Sequence, residues 1–139
     1  MEKSDIAIET FNNDLNCAQS VIGAYAEQYN LDKNTLFKLA SAFGGGMGHT
    51  NGVCGAISGG LMVLGLKHNS IQFDKETTYA QTRHLMDEFI KRNGTRDCEK
   101  LIGVDLMTEE GKKEFKEKGI KKNVCEKCIA DVIDIVENS

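Results

Sequence analysis

The chain has 139 residues, 17 basic and 21 acidic side chains, a formal net charge of -4, five cysteines and no proline. That length suits one domain over 1–139 with a core that needs no disulfide staples. The acidic balance, with no basic stripe interleaved with aromatics, excludes a nucleic-acid surface. The longest apolar run, 61–66, falls well short of the roughly 20 residues of a membrane span, so no membrane insertion is expected.

Helices are predicted almost throughout, because apolar residues recur at helical spacing and no alternating β-branched run marks a strand. A short helix over 5–11 leads to Asn16, a good N-cap, with Gln19 placed to complete a capping box. Val21, Ile22, Tyr25 and Tyr29 then follow at helical spacing. Asp32 caps the next helix, whose apolar face is Leu36, Leu39, Ala40 and Phe43. Residues 44–52 read as a flexible glycine-rich loop that ends at Cys54, the start of a small-residue helix over 54–66. Asp74 caps a long helix carrying Leu85, Met86, Phe89 and Ile90 until Gly94 stops it.

Thr95 or Asp97 caps a short turn from Cys98 to Ile102. Thr108 precedes a helix with Glu109 and Glu110 in its first turn, which fades at Gly119; its Lys112, Lys113 and Lys116 alternate with acids and read as a solvated face. Asn123 caps the last helix, with Cys125 in its first turn and Ile129, Val132, Ile133 and Val136 on its apolar side. Together these elements predict a single-domain all-α helical bundle. Its centre is the helix from Cys54, since Gly55, Gly59 and Gly60 each cost about 1 kcal/mol relative to alanine and close approach of another helix would offset that.

Four of the five cysteines, Cys17, Cys54, Cys98 and Cys125, fall at predicted helix starts, where partial positive charge and free N–H groups favour thiolates and anions. Residues 1–13 lack the basic start and apolar core of a secretion signal, which predicts a cytoplasmic protein. In a reducing cytosol structural disulfides are rare, so redox or metal chemistry is the expectation. Gly44, Gly45, Gly46 and Gly48 with His49 match neither the dinucleotide fingerprint nor the Walker A pattern, so no nucleotide is expected. They remain candidates for binding another cofactor through backbone N–H groups, beside the plainer reading of a tight turn. His49 is a candidate ligand or base beside the plainer reading of a solvated loop residue. Cys128 forms a CxxC with Cys125, but without a βαβ context it reads as an ordinary apolar helix residue.

The run Cys54-Gly55-Ala56-Ile57-Ser58-Gly59 resembles the CGAxxG motif of the C_GCAxxG_C_C family of redox-active proteins. Asn16-Cys17-Ala18-Gln19, the glycines at 44–48, the segment 98–103 and Val124-Cys125 resemble its other elements. The resemblance implies a cysteine-based redox or metal-cluster role with an unidentified redox partner. Three readings stay open. Cys17, Cys54, Cys98 and Cys125 hold an iron–sulfur cluster or soft transition metal for electron transfer. Alternatively, Cys54 attacks and Cys17 resolves in dithiol/disulfide exchange, or the cysteines only pack in a non-redox helical binding module. A homodimer is open to the chain in each case.

Overall fold

Helix starts form where the sequence supplies polar caps. In the computed structural model, which describes residues 2–139, α1 (Lys3–Phe11) precedes α2 (Cys17–Gly23). Asn16 closes the expected capping box: its Oδ1 accepts from the Gln19 N–H at 2.8 Å, and Gln19 Oε1 accepts from the Asn16 N–H at 2.9 Å. A cap of this kind contributes about 1 kcal/mol. Asp32 caps α3 (Lys33–Ala40), Asp74 caps α6 (Lys75–Asn93) and Thr108 caps α8 (Glu109–Glu117), each accepting from a backbone N–H three residues on. Between them lie a 3-10 turn (Ser41–Phe43), the single distorted turn α4 (Gly44–Met47), α5 (Gly55–His68) and α7 (Cys98–Ile102). A π-helical turn (Lys121–Cys125) runs directly into α9 (Glu126–Glu137). The fold is all-α, with an isolated antiparallel bridge between Val53 and Asp97 and no strand among the described residues. Nor is any described helix long and apolar enough to cross a membrane.

The central element is α5, which is apolar or small on nearly every side and therefore buries itself all round. It packs on α2, α6 and α9 and buries Ala56, Ile57, Val63 and Leu64 along with its first glycines. The glycines are there for room. A Cβ on Gly59 would stand 2.7 Å from the Ala18 carbonyl oxygen and 2.9 Å from Val21 Cβ, and one on Gly60 would stand 2.5 Å from Val132 Cγ1. The main core around α5 gathers Val21, Ile22, Tyr25, Leu85, Phe89, Ile129, Val132 and Val136. Fully burying one large aliphatic or aromatic side chain contributes about 1.5–3 kcal/mol. A smaller cluster of Cys98, Ile102, Val104, Leu106 and Ile120 sits beside it, and Leu101, Val124 and Cys125 touch both.

Four local expectations change. The second helix stops at Gly23, and Tyr25 reaches the core from a turn. Leu39 is 65% exposed, leaving Leu36 and Ala40 as the buried face of α3. The 44–52 segment is ordered: Gly48 N–H donates to Gly44 O at 2.8 Å and Gly52 N–H to Gly46 O at 2.9 Å. Finally, Asn123 caps nothing. Gly119, with φ +61, makes the break, the backbone is already helical at Ile120, and Asn123 lies inside the π-helical turn. Cys125 is therefore not at a free helix start.

Gly59→Leu is expected to destabilise the domain by roughly 1–3 kcal/mol in urea unfolding, since the atom it meets first is backbone. Gly65→Ala, where an added Cβ meets nothing within 4 Å, should leave stability unchanged or raise it by up to about 1 kcal/mol. An unchanged midpoint for Gly59→Leu would remove the close-packing account of α5.

Candidate functional site

Three cysteine-bearing segments converge on the glycine turn. Cys54 N–H donates to Arg96 O at 2.9 Å and Cys98 N–H to Gly52 O at 2.8 Å, bracketing the Val53–Asp97 bridge. These bonds hold the starts of α5 and α7 side by side. A Cβ on Gly46, where φ is +69, would stand 2.7 Å from Cys98 Cβ; one on Gly44 would stand 2.4 Å from Asn16 Cβ; and one on Gly55 would stand 3.3 Å from Cys17 Cβ. Asn16 Nδ2 also donates to Ser41 O at 3.0 Å, tying the start of α2 to the same turn. The glycines thus serve as spacers that admit three neighbouring segments at once.

From the opposite side, the π-helical turn and α9 bring up Cys125 and Cys128. All five cysteines line one cavity of about 280 Å³, where the main core meets the smaller cluster. Its remaining wall is mostly apolar, from Phe11, Leu101, Ile102, Leu106 and Phe115, with Lys112 and Lys121 alongside. Cys54, Cys98 and Cys128 are buried, while Cys17 and Cys125 are half-buried.

Within the cavity two pairs of neighbouring thiols act most strongly on each other's protonation, Cys54 with Cys128 and Cys17 with Cys125. The Cys54 thiol is held below its ordinary pKa, first by the Cys128 S–H, which donates to it. The backbone N–H groups of Ala56 and Ile57 at the start of α5 add to this against the opposing effect of burial, although the sulfur makes no formal cap hydrogen bond. Cys128 is correspondingly raised, by donating to Cys54 and by burial. Cys17 is raised well above the ordinary value by its hydrogen bond to Cys125, by burial and by the charges of its thiol neighbours. Burial, with Cys54 and Cys125 nearby, pushes Cys98 up to about 12. A thiolate is favoured at Cys54 and disfavoured at Cys17, Cys98 and Cys128.

Residues 15–139 match the family described as "Putative redox-active protein (C_GCAxxG_C_C)". The chain belongs to this C_GCAxxG_C_C family. It is also similar to an uncharacterized protein of Archaeoglobus fulgidus, at 28% identity over 80% of this chain and 82% of that one. No solved structure matches it.

Of the candidates read from the sequence of this family member, Cys17, Cys54, Cys98 and Cys125 all reach the cavity, and so do Gly45 and His49. His49 is exposed, with a φ of +64. Gly44, Gly46 and Gly48 do not form the wall; the first two act by admitting Asn16 and Cys98. Cys128, read from sequence as an apolar helix residue, is the direct partner of Cys54, and its CxxC spacing was the available signal. Lys112, read as part of a solvated face, borders the cavity. As donors, thiolates suit an iron–sulfur cluster or a soft metal. Yet among the described residues no three His, Cys, Asp or Glu side chains stand together as a metal-holding group, so the present spacing does not fit one.

The pH dependence of alkylation reads this arrangement directly. Cys54 labelling by iodoacetamide, followed by mass spectrometry, is expected to reach half its maximal rate below the ordinary thiol pKa of about 8.5. Cys98 labelling should rise only toward pH 12. The reverse order would contradict the assigned roles of Cys128 and the α5 N-terminus.

Proposed function

We propose that this member of the redox-active family works by dithiol/disulfide exchange in the cytoplasm, with Cys54 as the attacking thiolate and Cys128 as the resolving thiol. The reading is carried by the placing of buried Cys54, at the start of α5, and buried Cys128, on α9, in the wall of one cavity, with Cys128 the first cause that lowers the Cys54 thiol. Cys54 attacks one sulfur of a substrate disulfide and expels the first thiolate, leaving a mixed disulfide on Cys54. The Cys128 sulfur then attacks Cys54 and expels the second. Two electrons and the two thiol protons pass to the substrate, and the protein is left with a Cys54–Cys128 disulfide. A redox partner that reduces this disulfide closes the cycle. The Cys17–Cys125 pair, less buried, is the route by which such a partner's thiol would approach.

A second reading is favoured by one observation, the gathering of five thiols about a single cavity. On it, Cys17, Cys54, Cys98 and Cys125 would hold an iron–sulfur cluster or soft metal, which would supply one-electron chemistry. The thiols would first have to draw closer than they now stand, so exchange between paired thiols is the better supported.

Protein purified without oxygen, analysed for metal and sulfide and then equilibrated in glutathione redox buffers, separates the readings. The expected result is a Cys54–Cys128 disulfide by peptide mapping, lost in both Cys54→Ser and Cys128→Ser while helical content is retained, each change costing roughly 1–3 kcal/mol as a hydroxyl replaces a buried thiol. Stoichiometric iron with sulfide, or another soft metal, would transfer the assignment to the second reading. Neither metal nor disulfide would overturn both.

A further inference from the structure

The charged side chains around the cavity are of one sign. Lys112 and Lys121 line it and no Asp or Glu does, although the whole chain carries a formal net charge of -4. The Lys121 ammonium lies 4.7 Å from the centroid of the Phe11 ring, and Phe11 is itself a wall residue. This cation is therefore held against the cavity by its attraction to the ring face. Lys112 stands 3.6 Å from Glu109, whose side chain is 94% exposed. Glu109 partly offsets Lys112 at this open rim, which leaves Lys121, held on the Phe11 ring, as the principal cation of the wall.

Size and access narrow the occupant further. A volume of about 280 Å³ lies at the lower edge of the range for small-molecule pockets, roughly 300–1,000 Å³. Cys54 is 5% exposed and Cys128 2% exposed, so a substrate sulfur meets Cys54 inside the cavity, which favours a small disulfide over one carried on a folded protein surface.

We infer, resting on the exchange reading above, that the disulfide reduced here is a small organic one with an apolar body and an anionic group. Its body lies on Phe11, Leu101, Leu106 and Phe115, and its anion faces Lys112 and Lys121. The balance is that already given: one substrate disulfide becomes two thiols as Cys54 and Cys128 become one disulfide.

The test uses the full chain, reduced and free of oxygen, with three small disulfides: anionic aromatic dithiobis(nitrobenzoate), neutral aromatic dithiodipyridine and cationic cystamine. Each rate is divided by that for N-acetylcysteine amide, which removes intrinsic reactivity. The anionic reagent should be favoured about tenfold over the neutral one, as expected of a cationic cleft, and the preference should shrink with added salt. Lys112→Gln with Lys121→Gln should abolish it, and Lys112→Arg with Lys121→Arg should keep it. Equal normalised rates, or a preference that survives the double Gln change, would overturn the inference while leaving exchange intact. Should no Cys54–Cys128 disulfide form with any of the three, the exchange reading fails. The ratio of iodoacetate to iodoacetamide labelling at Cys17 and Cys125 then still reads the field: above the N-acetylcysteine amide ratio it upholds an anion-selective cavity, and at or below that ratio it overturns one.

Discussion

Between the glycine turn and the starts of α2, α5 and α7, main chains approach more closely than a Cβ permits. At Gly44, Gly46, Gly55 and Gly59 the nearest neighbouring atom lies 2.4–2.9 Å from where that missing Cβ would stand. The contact is worth little in buried area, but it sets the distances on which everything else depends. With the turn pinned by hydrogen bonds from Cys54 and Cys98 to Arg96 and Gly52, three sulfurs face the same space. The aliphatic packing of α9 against α5 then brings up the other two.

Grouping thiols in an apolar place has an electrostatic consequence. Neutral thiols behave as small hydrophobes and are tolerated in a core, whereas each added thiolate repels the others and loses its hydration. The arrangement accommodates one negative charge well, at Cys54, where a donor thiol and two backbone N–H groups converge. Burial and their thiol neighbours hold Cys17, Cys98 and Cys128 toward the protonated form. The thiols of one cavity thus differ in acidity through their nearest donors and their burial.

Much of this was legible in the sequence wherever short-range chemistry decides. Asn16, Asp32, Asp74 and Thr108 announce their helix starts because a cap needs only a side-chain oxygen and an N–H three residues away. The all-α class and the central place of α5 follow from helical periodicity and from glycines that would be costly unless another backbone approached. The pairing of thiols was not legible, because it depends on how α9 rotates against α5. The end of α8 at Gly119 was legible, but not the immediate restart of the helix at Ile120, since Asn123 is a good cap by composition and only the backbone places it inside the π-helical turn. Lys112 and Lys121 look like ordinary surface lysines until the short segment 98–106 folds back to make a wall beside them.

The π-helical turn at Lys121–Cys125, where the Glu126 N–H reaches back to Lys121 O, holds one residue more than an α-helical turn would. It acts as a phase shifter in an otherwise continuous rod. Each residue of an α-helix turns the chain by about 100°, so excising one residue here would heal the hydrogen-bond ladder and swing everything before it through that angle relative to α9. Helical content would be preserved, yet Cys125 and Val124 would leave the cavity wall while Cys128 stayed. The thiol-lined cavity is thus tuned by an irregularity in the helix, and a more regular sequence at this point would make a better helix and a poorer site.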